Sequence, residues 1–111
     1  MDEILNELKF NEPLSIYKSD VTVVIPTLNE EEAIEFVLRG IMSEGYSNIL
    51  VVDGNSIDET ASIAGKLKVR VITQKGHGKT GAIVTAISQV KTPYFVVIDG
   101  ISLIVRVILS I

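Results

Sequence analysis

Four short apolar runs, each rich in β-branched residues, recur along the chain and constrain its fold more than any other feature. They lie at residues 21–25, 48–53, 69–73 and 94–99, with the sequences VTVVI, NILVVD, VRVIT and YFVVID. Such runs are typical of strands buried on both faces. Because a helix-like segment separates each pair of runs, the strands are expected to be parallel and joined by right-handed crossovers. The pattern predicts a three-layer α/β/α fold with a mostly parallel sheet.

The segments between the runs carry helix signals. The first helix is predicted to begin at Asn29 as its N-cap and to end at Gly45. The second is predicted to begin at Ser56, in a capping box that Glu59 completes, and the third to span residues 78–90. The side chains expected to face the core are Ile34, Val37, Leu38 and Ile41 in the first helix, and Ile83, Ala86, Ile87 and Val90 in the third.

The composition argues against several functional classes. The chain has 111 residues, enough for one domain, and 47% of them are hydrophobic. Its net charge of −4 argues against a nucleic-acid partner, because binding to phosphate backbones needs a basic surface. It has no cysteine, so disulfides and cysteine-based metal sites are excluded. The N-terminus does not resemble a signal peptide and no apolar run is long enough to span a membrane, so we expect a cytoplasmic protein that can still contact a membrane surface.

Polar and glycine residues follow every predicted strand, at the place where ligands bind in open parallel sheets. The four stretches are PTLNE, DGNSID, QKGHGK and DG, at residues 26–30, 53–58, 74–79 and 99–100. Any domain needs turn residues at such places, which is the structural explanation of the pattern. Asp53 and Asp99, however, end apolar runs and have no evident helix to cap. The stretches therefore favour a binding site.

The stretch TQKGHGKT, at residues 73–80, suggests one such site, the P-loop of an ATPase. It ends in Gly78-Lys79-Thr80 and lies between a predicted strand and a predicted helix. A P-loop has the pattern GxxxxGK[ST], whose backbone N–H groups surround the phosphates. The first glycine of that pattern would fall at residue 73, which is a threonine. A P-loop NTPase is therefore kept as the third alternative.

Taken together, the four strand ends resemble a known family. The stretches VTVVIPTLNEEEAI, ILVVDGNSIDET, QKGHGKTGAI and PYFVVIDG are similar, in this order, to the amino-terminal half of family 2 glycosyltransferases. Their motifs look most like those of the dolichyl-phosphate mannose or glucose synthase branch. The resemblance covers residues 21–100 and implies the nucleotide-binding half of a GT-A (Rossmann-like) domain. It also implies sugar transfer from a GDP- or UDP-sugar to a lipid phosphate or a saccharide.

The resemblance implies that the first two strand ends bind the nucleoside of the donor. The turn Pro26-Thr27-Leu28 and Glu30 would approach the base and the ribose. Asp53 would accept a hydrogen bond from the base. Two other residues of the second stretch, Asn55 and Ser56, suit turn and cap roles as well as ligand contacts, and Asp58 is interpreted as compensating a helix dipole.

The third strand end is expected to meet the diphosphate. Gly76 and Gly78 would permit close approach of the backbone. Lys79 would contact the phosphates as a point charge, with Lys75 as a second candidate. His77, the only histidine in the chain, is interpreted as a loop residue rather than a catalyst.

The fourth strand end departs from the family pattern. The resemblance implies an Asp-x-Asp motif that binds the donor and Mg²⁺ or Mn²⁺, and this chain has Asp99-Gly100-Ile101. Asp99 is thus the one metal ligand predicted, and Gly100 is predicted to lie beside the donor. No catalytic residue is assigned, because the acceptor half of the family's domain has no counterpart in this sequence. We therefore expect nucleotide binding with weak or no turnover, and a non-catalytic nucleotide-binding module is the second alternative.

The two ends of the chain are predicted to be separate segments. Residues 1–20 are expected to hold a short helix and a connector, residues 21–100 the nucleotide-binding unit, and residues 101–111 an apolar tail, ISLIVRVILSI. One hypothesis is that the reading frame is interrupted near codon 101 of a longer glycosyltransferase. The other is that the tail forms a fifth strand, which closes the sheet edge or mediates a homodimer.

Overall fold

Five strands form one sheet in the computed structural model, which describes residues 17–99 and the backbone of residues 106–109. Their order across the sheet is β3-β2-β1-β4-β5, and all neighbours are parallel except β4 and β5. The strands are β1 (Val21–Thr27), β2 (Ile49–Asp53), β3 (Arg70–Thr73), β4 (Tyr94–Val97) and β5 (Arg106–Leu109). The helices are α1 (Ile34–Ser43), α2 (Thr60–Lys66) and α3 (Gly78–Ile87), and a 3₁₀ turn at Lys18–Asp20 precedes β1.

The two faces of the sheet are covered by different helices, which confirms the predicted three-layer α/β fold. Alternate residues of each central strand point to opposite faces, as the pleat requires. One face packs against α1 and α2, and its buried residues include Val23, Ile25, Val51, Leu38 and Ala64. The other face packs against α3, and its buried residues include Val24, Leu50, Val52, Ala82 and Ala86. Burial on both faces explains why β1, β2 and β4 read as apolar runs. The same prediction was wrong for β3, which lies at the end of the strand order and has no buried residue.

The predicted starts of α1 and α2 were wrong. Helix α1 begins at Ile34 after a turn at residues 31–33, so Asn29 is not its N-cap. Helix α2 begins at Thr60 with Glu59 as its N-cap residue, so Ser56 and Glu59 form no capping box. The backbone of Asn29 has a φ of 52°, and the side chains of Asn29 and Ser56 bond to neighbouring loops instead.

Two further boundaries differ from the prediction. Strand β1 continues through Pro26 to Thr27. Proline has no N–H to donate to a neighbouring strand, and this is tolerated here because the pairing of β1 with β4 ends at Val24. Helix α3 ends at Ile87, whose side chain is exposed rather than directed inward. The buried face of α3 consists of Ala82, Thr85 and Ala86.

The order of the strands determines where a ligand can bind. The chain runs from β1 outward to β3 on one side, and then α3 crosses to the opposite face and leads to β4 on the other side of β1. The carboxyl ends of β1 and β4 therefore flank the point at which the strand order reverses. Such a point leaves a crevice between diverging loops, the usual ligand site of an open α/β sheet.

Several predictions concern the ends of the chain. Three predicted features lie outside the described residues: the helix within residues 2–9, Gly100, and the tail apart from residues 106–109. Strand β5 lies within the predicted tail and pairs antiparallel with β4, as the fifth-strand hypothesis expects. Dimerisation through this tail and the interrupted reading frame stay predictions.

Candidate nucleotide-binding site

A cavity of about 380 Å³ opens at the carboxyl ends of the strands, beside the reversal point between β1 and β4. Residues from all four parallel strand ends line it. Most of the site residues predicted from the sequence meet there: Pro26, Thr27, Leu28, Glu30, Gly76, Gly78, Lys79 and Asp99. Their proposed contacts with a nucleotide stay predictions, but the fold brings them into one cavity.

The cavity is also lined by Asn55, for which both a turn role and a ligand contact were predicted. Four further lining residues had no predicted ligand contact: Gly54, Gln74, His77 and Ala82. Asn55 has a φ of 63°, a left-handed conformation that asparagine tolerates better than most residues. The DGN turn was a detectable signal for Gly54 and Asn55. The sequence carries no comparable signal for Gln74 or Ala82, because only packing places them there.

The loops after β1 and β2 are joined by side-chain hydrogen bonds, which we call the interloop network (residues 29–31 with 56–60). The N–H of Asn29 donates to Ser56 Oγ at 2.8 Å, and the N–H of Ile57 donates to Asn29 Oδ1 at 2.9 Å. The N–H of Glu59 donates to a carboxylate oxygen of Glu31 at 3.1 Å. These reciprocal bonds hold one wall of the cavity in place.

Thr60 and Asp58 form the centre of the interloop network. The fully buried Thr60 accepts a bond from the N–H of Glu30 at 2.8 Å and donates its hydroxyl to Asp58. Asp58 also accepts bonds from the N–H groups of Thr60 and Glu31. Desolvation alone would raise the pKa of Asp58, but the hydrogen bonds from Thr60 and Glu31 outweigh it and lower that pKa. The carboxylate thus acts as a structural acceptor.

Asp53 lies beneath the cavity rather than on its surface. Its side chain is buried and accepts bonds from the hydroxyls of Thr27 at 3.0 Å and Ser56 at 2.6 Å. The N–H of Ser56 donates to its second oxygen at 2.9 Å. A carboxylate has room for further donors, so the predicted contact with a base stays a prediction. In the structure, these hydrogen bonds to Asp53 fix the turn that follows β2.

The loop after β3 forms the opposite wall, and we call it the glycine loop (residues 74–78). Gly76 and Gly78 have φ values of 81° and 65°, in the left-handed region where glycine is strongly favoured. Among the described residues, the N–H groups of residues 76–80 have no hydrogen-bond acceptor. These are the loop and first-turn donors of α3, and an anion can accept from such groups.

Three residues hold the glycine loop against α3. Gln74 donates from Nε2 to the carbonyl of Gly78 at 3.0 Å. Thr85 accepts from the N–H of Lys75 at 2.8 Å. Gly81 permits the close approach, since a Cβ there would lie 2.9 Å from the carbonyl oxygen of Lys75. These contacts fix the conformation of the loop and leave the N–H groups of residues 76–80 without an acceptor among the described residues.

The charged groups of the cavity are two carboxylates and one ammonium. Lys79, in the first turn of α3, places Nζ 2.6 Å from an oxygen of Asp99. Burial raises the pKa of Glu30, and repulsion from Asp99 and Asp58 raises it further, against a hydrogen bond to the Leu28 backbone. Glu30 and Asp99 both line the cavity, which brings their like charges near each other.

Comparison with known families shows to which proteins this chain is related. Residues 22–100 match the profile of a family described as glycosyl transferase family 2. The chain belongs to glycosyl transferase family 2. This confirms the family that the four strand ends predicted. It also removes the reason for a P-loop NTPase, because the glycine loop follows β3 in a glycosyltransferase fold.

Individual glycosyltransferases show the same relationship. The chain is 37% identical over 81 residues to glycosyltransferase AglJ of Haloferax volcanii, covering 72% of this chain and 27% of AglJ. It is 38% identical over 82 residues to a dolichyl-phosphate hexose transferase of the same organism, covering 72% of this chain and 36% of that protein. The match thus spans about a third of each of these relatives.

A solved structure with bound ligands has the same fold. The chain is similar to glucosyl-3-phosphoglycerate synthase from Mycobacterium tuberculosis in complex with Mn²⁺, UDP-glucose and phosphoglyceric acid. The TM-score is 0.66 at 28% identity, and the match covers 71% of this chain and 32% of that one. That protein, which shares the fold, binds a nucleotide sugar together with a metal ion.

The acidic residues of this glycosyltransferase chain do not by themselves fit a divalent cation. Mg²⁺ and Mn²⁺ are hard cations that take about six oxygen ligands. Among residues 17–99, no group of three histidine, aspartate or glutamate side chains is placed to hold a metal. The second acid of the expected motif is replaced by Ile101, whose side chain has no oxygen. The Asp99 carboxylate is instead paired with Lys79.

Within the part of the chain that the structure describes, no helix has both the length and the apolar character needed to cross a membrane.

Proposed function

We propose that the cavity binds the nucleotide part of a GDP- or UDP-sugar, as the donor site of a family 2 glycosyltransferase. The observation that carries the proposal is the glycine loop. The loop and the first turn of α3 contain consecutive N–H groups without acceptors among the described residues, and residues 76–79 of this segment, with the ammonium of Lys79, line the cavity in a chain of this family. Preorganised N–H groups at a helix start bind phosphate by direct hydrogen bonds and by the helix dipole.

The other walls suit the nucleoside. The exposed side chain of Leu28 offers an apolar surface at the rim, on which a base can lie. Glu30 is a half-buried carboxylate on the same wall and can accept hydrogen bonds from ribose hydroxyls. Asp53, close beneath, has lone-pair capacity left for a base N–H if the turn opens slightly. A diphosphate on the glycine loop would then have its nucleoside over β1 and β2.

The complete reaction is a broader proposal, because the chain spans about a third of the relatives cited above. We propose transfer to a lipid phosphate at the cytoplasmic face of a membrane, in line with the name of the dolichyl-phosphate hexose transferase. The described residues supply a donor site, and no general base for an acceptor hydroxyl is assigned among them. Nucleotide binding with weak or no turnover is therefore the expected behaviour of this chain by itself.

The proposal is tested by titrating the full chain with UDP, GDP and ATP, with binding measured by calorimetry and by backbone amide NMR. UDP or GDP is expected to bind with a dissociation constant below about 1 mM, and ATP more weakly. Amide shifts should concentrate at residues 27–30 and 76–80. Residues 47–49 and 68–70, which lie at the amino ends of the strands beside a separate cavity, serve as the internal control.

Two results would contradict the proposal. Shifts concentrated at the amino ends of the strands would place the ligand in the wrong cavity. Equal or tighter binding of ATP would return the P-loop alternative to consideration. Binding without any sugar transfer to added acceptors would instead favour the non-catalytic module, with the donor site intact.

A further inference from the structure

The predicted metal ligand of the cavity forms an ion pair with a lysine. Asp99 is the one acid of the expected metal motif that the sequence retains, and its side chain is 21% exposed. Lys79 approaches one of its oxygens to 2.6 Å, although the lysine side chain as a whole is 74% exposed. The ammonium therefore already occupies the neighbourhood of the carboxylate that a divalent cation would need.

Lys79 is poorly placed for helix stability. It lies in the first turn of α3, a helix that has no acidic residue in this turn. A cation at that end opposes the helix dipole, so the charge of Lys79 does not stabilise the helix there. The same position does face the cavity, next to the unpaired N–H groups of the glycine loop. A ligand-facing role explains this placement better than a stabilising one.

The remaining cavity residues supply few ligands for a divalent cation. Glu30 is the other carboxylate on the cavity wall, and His77 also lines the cavity, but among the described residues no three acids or histidines are placed together to hold a metal. Position 101, where a second aspartate would stand, is isoleucine. A lysine ammonium needs no such set, because one carboxylate and the phosphate oxygens of a ligand can satisfy its three donors.

We propose that Lys79 takes the place of the divalent cation in this chain, so that a nucleoside diphosphate binds here without metal. The ammonium is held by Asp99 before binding and bridges to the diphosphate after it. This inference rests on the proposed nucleotide site and concerns the charge that compensates the phosphates there.

The test uses the full chain and UDP as the probe, titrated once in EDTA and once in excess Mn²⁺. We expect binding in EDTA, with an affinity that Mn²⁺ changes by less than about threefold. A rise of about tenfold or more with Mn²⁺ would overturn the inference and leave the proposed nucleotide site standing. Failure to bind in both buffers would overturn the nucleotide site itself, and the inference with it.

Two variants make the test residue-specific. Lys79→Ala should weaken UDP binding in EDTA by roughly 10- to 100-fold, the loss typical of a charged hydrogen bond. Lys66→Ala, which removes a lysine from α2 outside the cavity, is the matched control and should bind as the parent does. Equal affinities of the two variants would contradict the role of Lys79.

A third variant restores the family motif. Ile101→Asp recreates the Asp-x-Asp spacing, and Mn²⁺ should then strengthen UDP binding by about tenfold or more, unlike in the parent chain. Equal manganese dependence of the parent and the variant would count against the inference.

Discussion

The two walls of the cavity use their hydrogen-bonding groups in opposite ways. In the interloop network, the side chains of Asn29, Asp58 and Thr60 satisfy backbone N–H groups of the facing loop. In the glycine loop, the side chain of Gln74 is bound to a backbone carbonyl. The N–H groups of residues 76–80, in this loop and the first turn of α3, have no acceptor among the described residues. The backbone N–H groups of the first wall named are bonded without a ligand, whereas the second wall has N–H donors that remain unbonded.

The difference separates structural from functional polar residues. A buried group that is fully bonded within the protein costs stability when its partner is removed, because the remaining group is left unsatisfied. A donor directed at an open cavity costs little to the fold and matters when a ligand arrives. Changes in the interloop network should therefore act mainly on stability, and changes in the glycine loop on nucleotide affinity as well.

The largest expected effect is that of Thr60→Val, which keeps the side-chain shape and removes the hydroxyl. The N–H of Glu30 and a carboxylate oxygen of Asp58 then lose a partner at a fully buried position. The free energy of unfolding, measured with urea, should fall by about 1–3 kcal/mol. Thr80→Val, at an exposed position in α3, is the matched control and should change it little. Equal losses in the two variants would indicate that the network does not stabilise the fold.

A smaller effect is expected from Gly81→Ala. The new Cβ would lie 2.9 Å from the carbonyl oxygen of Lys75 and 3.0 Å from the carbonyl carbon of Gly76, so the backbone of the glycine loop must shift. Overpacking costs about 1–3 kcal/mol, partly offset by about 1 kcal/mol of helix propensity. We expect a net loss of about 1 kcal/mol together with weaker UDP binding.

The control for that variant is Gly65→Ala in α2, where a Cβ would meet nothing within 4 Å. It should stabilise the protein by about 0.5–1 kcal/mol and leave UDP binding unchanged. If Gly81→Ala were also stabilising and bound UDP normally, close packing of the glycine loop against α3 would not be required.

The smallest effect should come from Glu30→Gln and should depend on pH. Burial and Asp99 raise the pKa of Glu30, so the folded state disfavours its ionised form. That penalty is present at neutral pH and disappears as pH falls below the ordinary value of 4.5, where the carboxyl is protonated in both states. The variant should be more stable than the parent at pH 7 and equally stable at pH 3, as thermal unfolding can measure. A constant difference across this range would exclude the electrostatic explanation.

The strands could be predicted from the sequence because their burial on both faces leaves a direct record. Each buried strand is a run of apolar β-branched residues, and the runs of β1 and β2 continue almost without interruption. The helix starts could not be predicted in the same way. Asn29 and Ser56 have the chemistry of N-caps, but their polar groups bond across loops that are distant in sequence.

The site shows the same division. Gly76, Gly78 and Lys79 could be identified because a glycine-rich segment with lysine between a strand and a helix is itself a signal. The support of that segment by Gln74, Gly81 and Thr85 could not be read, because it depends on contacts across the first turns of α3. Asp53 was correctly placed at a strand end, yet its bonds to Thr27 and Ser56 appear only in the folded chain.

By itself, the sequence determined the family, the α/β class and the ends of the strands at which the cavity lies. The family follows from the resemblance of the four strand ends to known motifs. The class and the place of the cavity follow from local composition: apolar runs that must be buried, and glycines and polar residues that favour turns. Tertiary structure alone decided which polar residues are consumed by the fold and which are left for a ligand. The reason is physical, since a hydrogen bond depends on the partner that the fold brings within about 3 Å, and the sequence names each group without naming its partner.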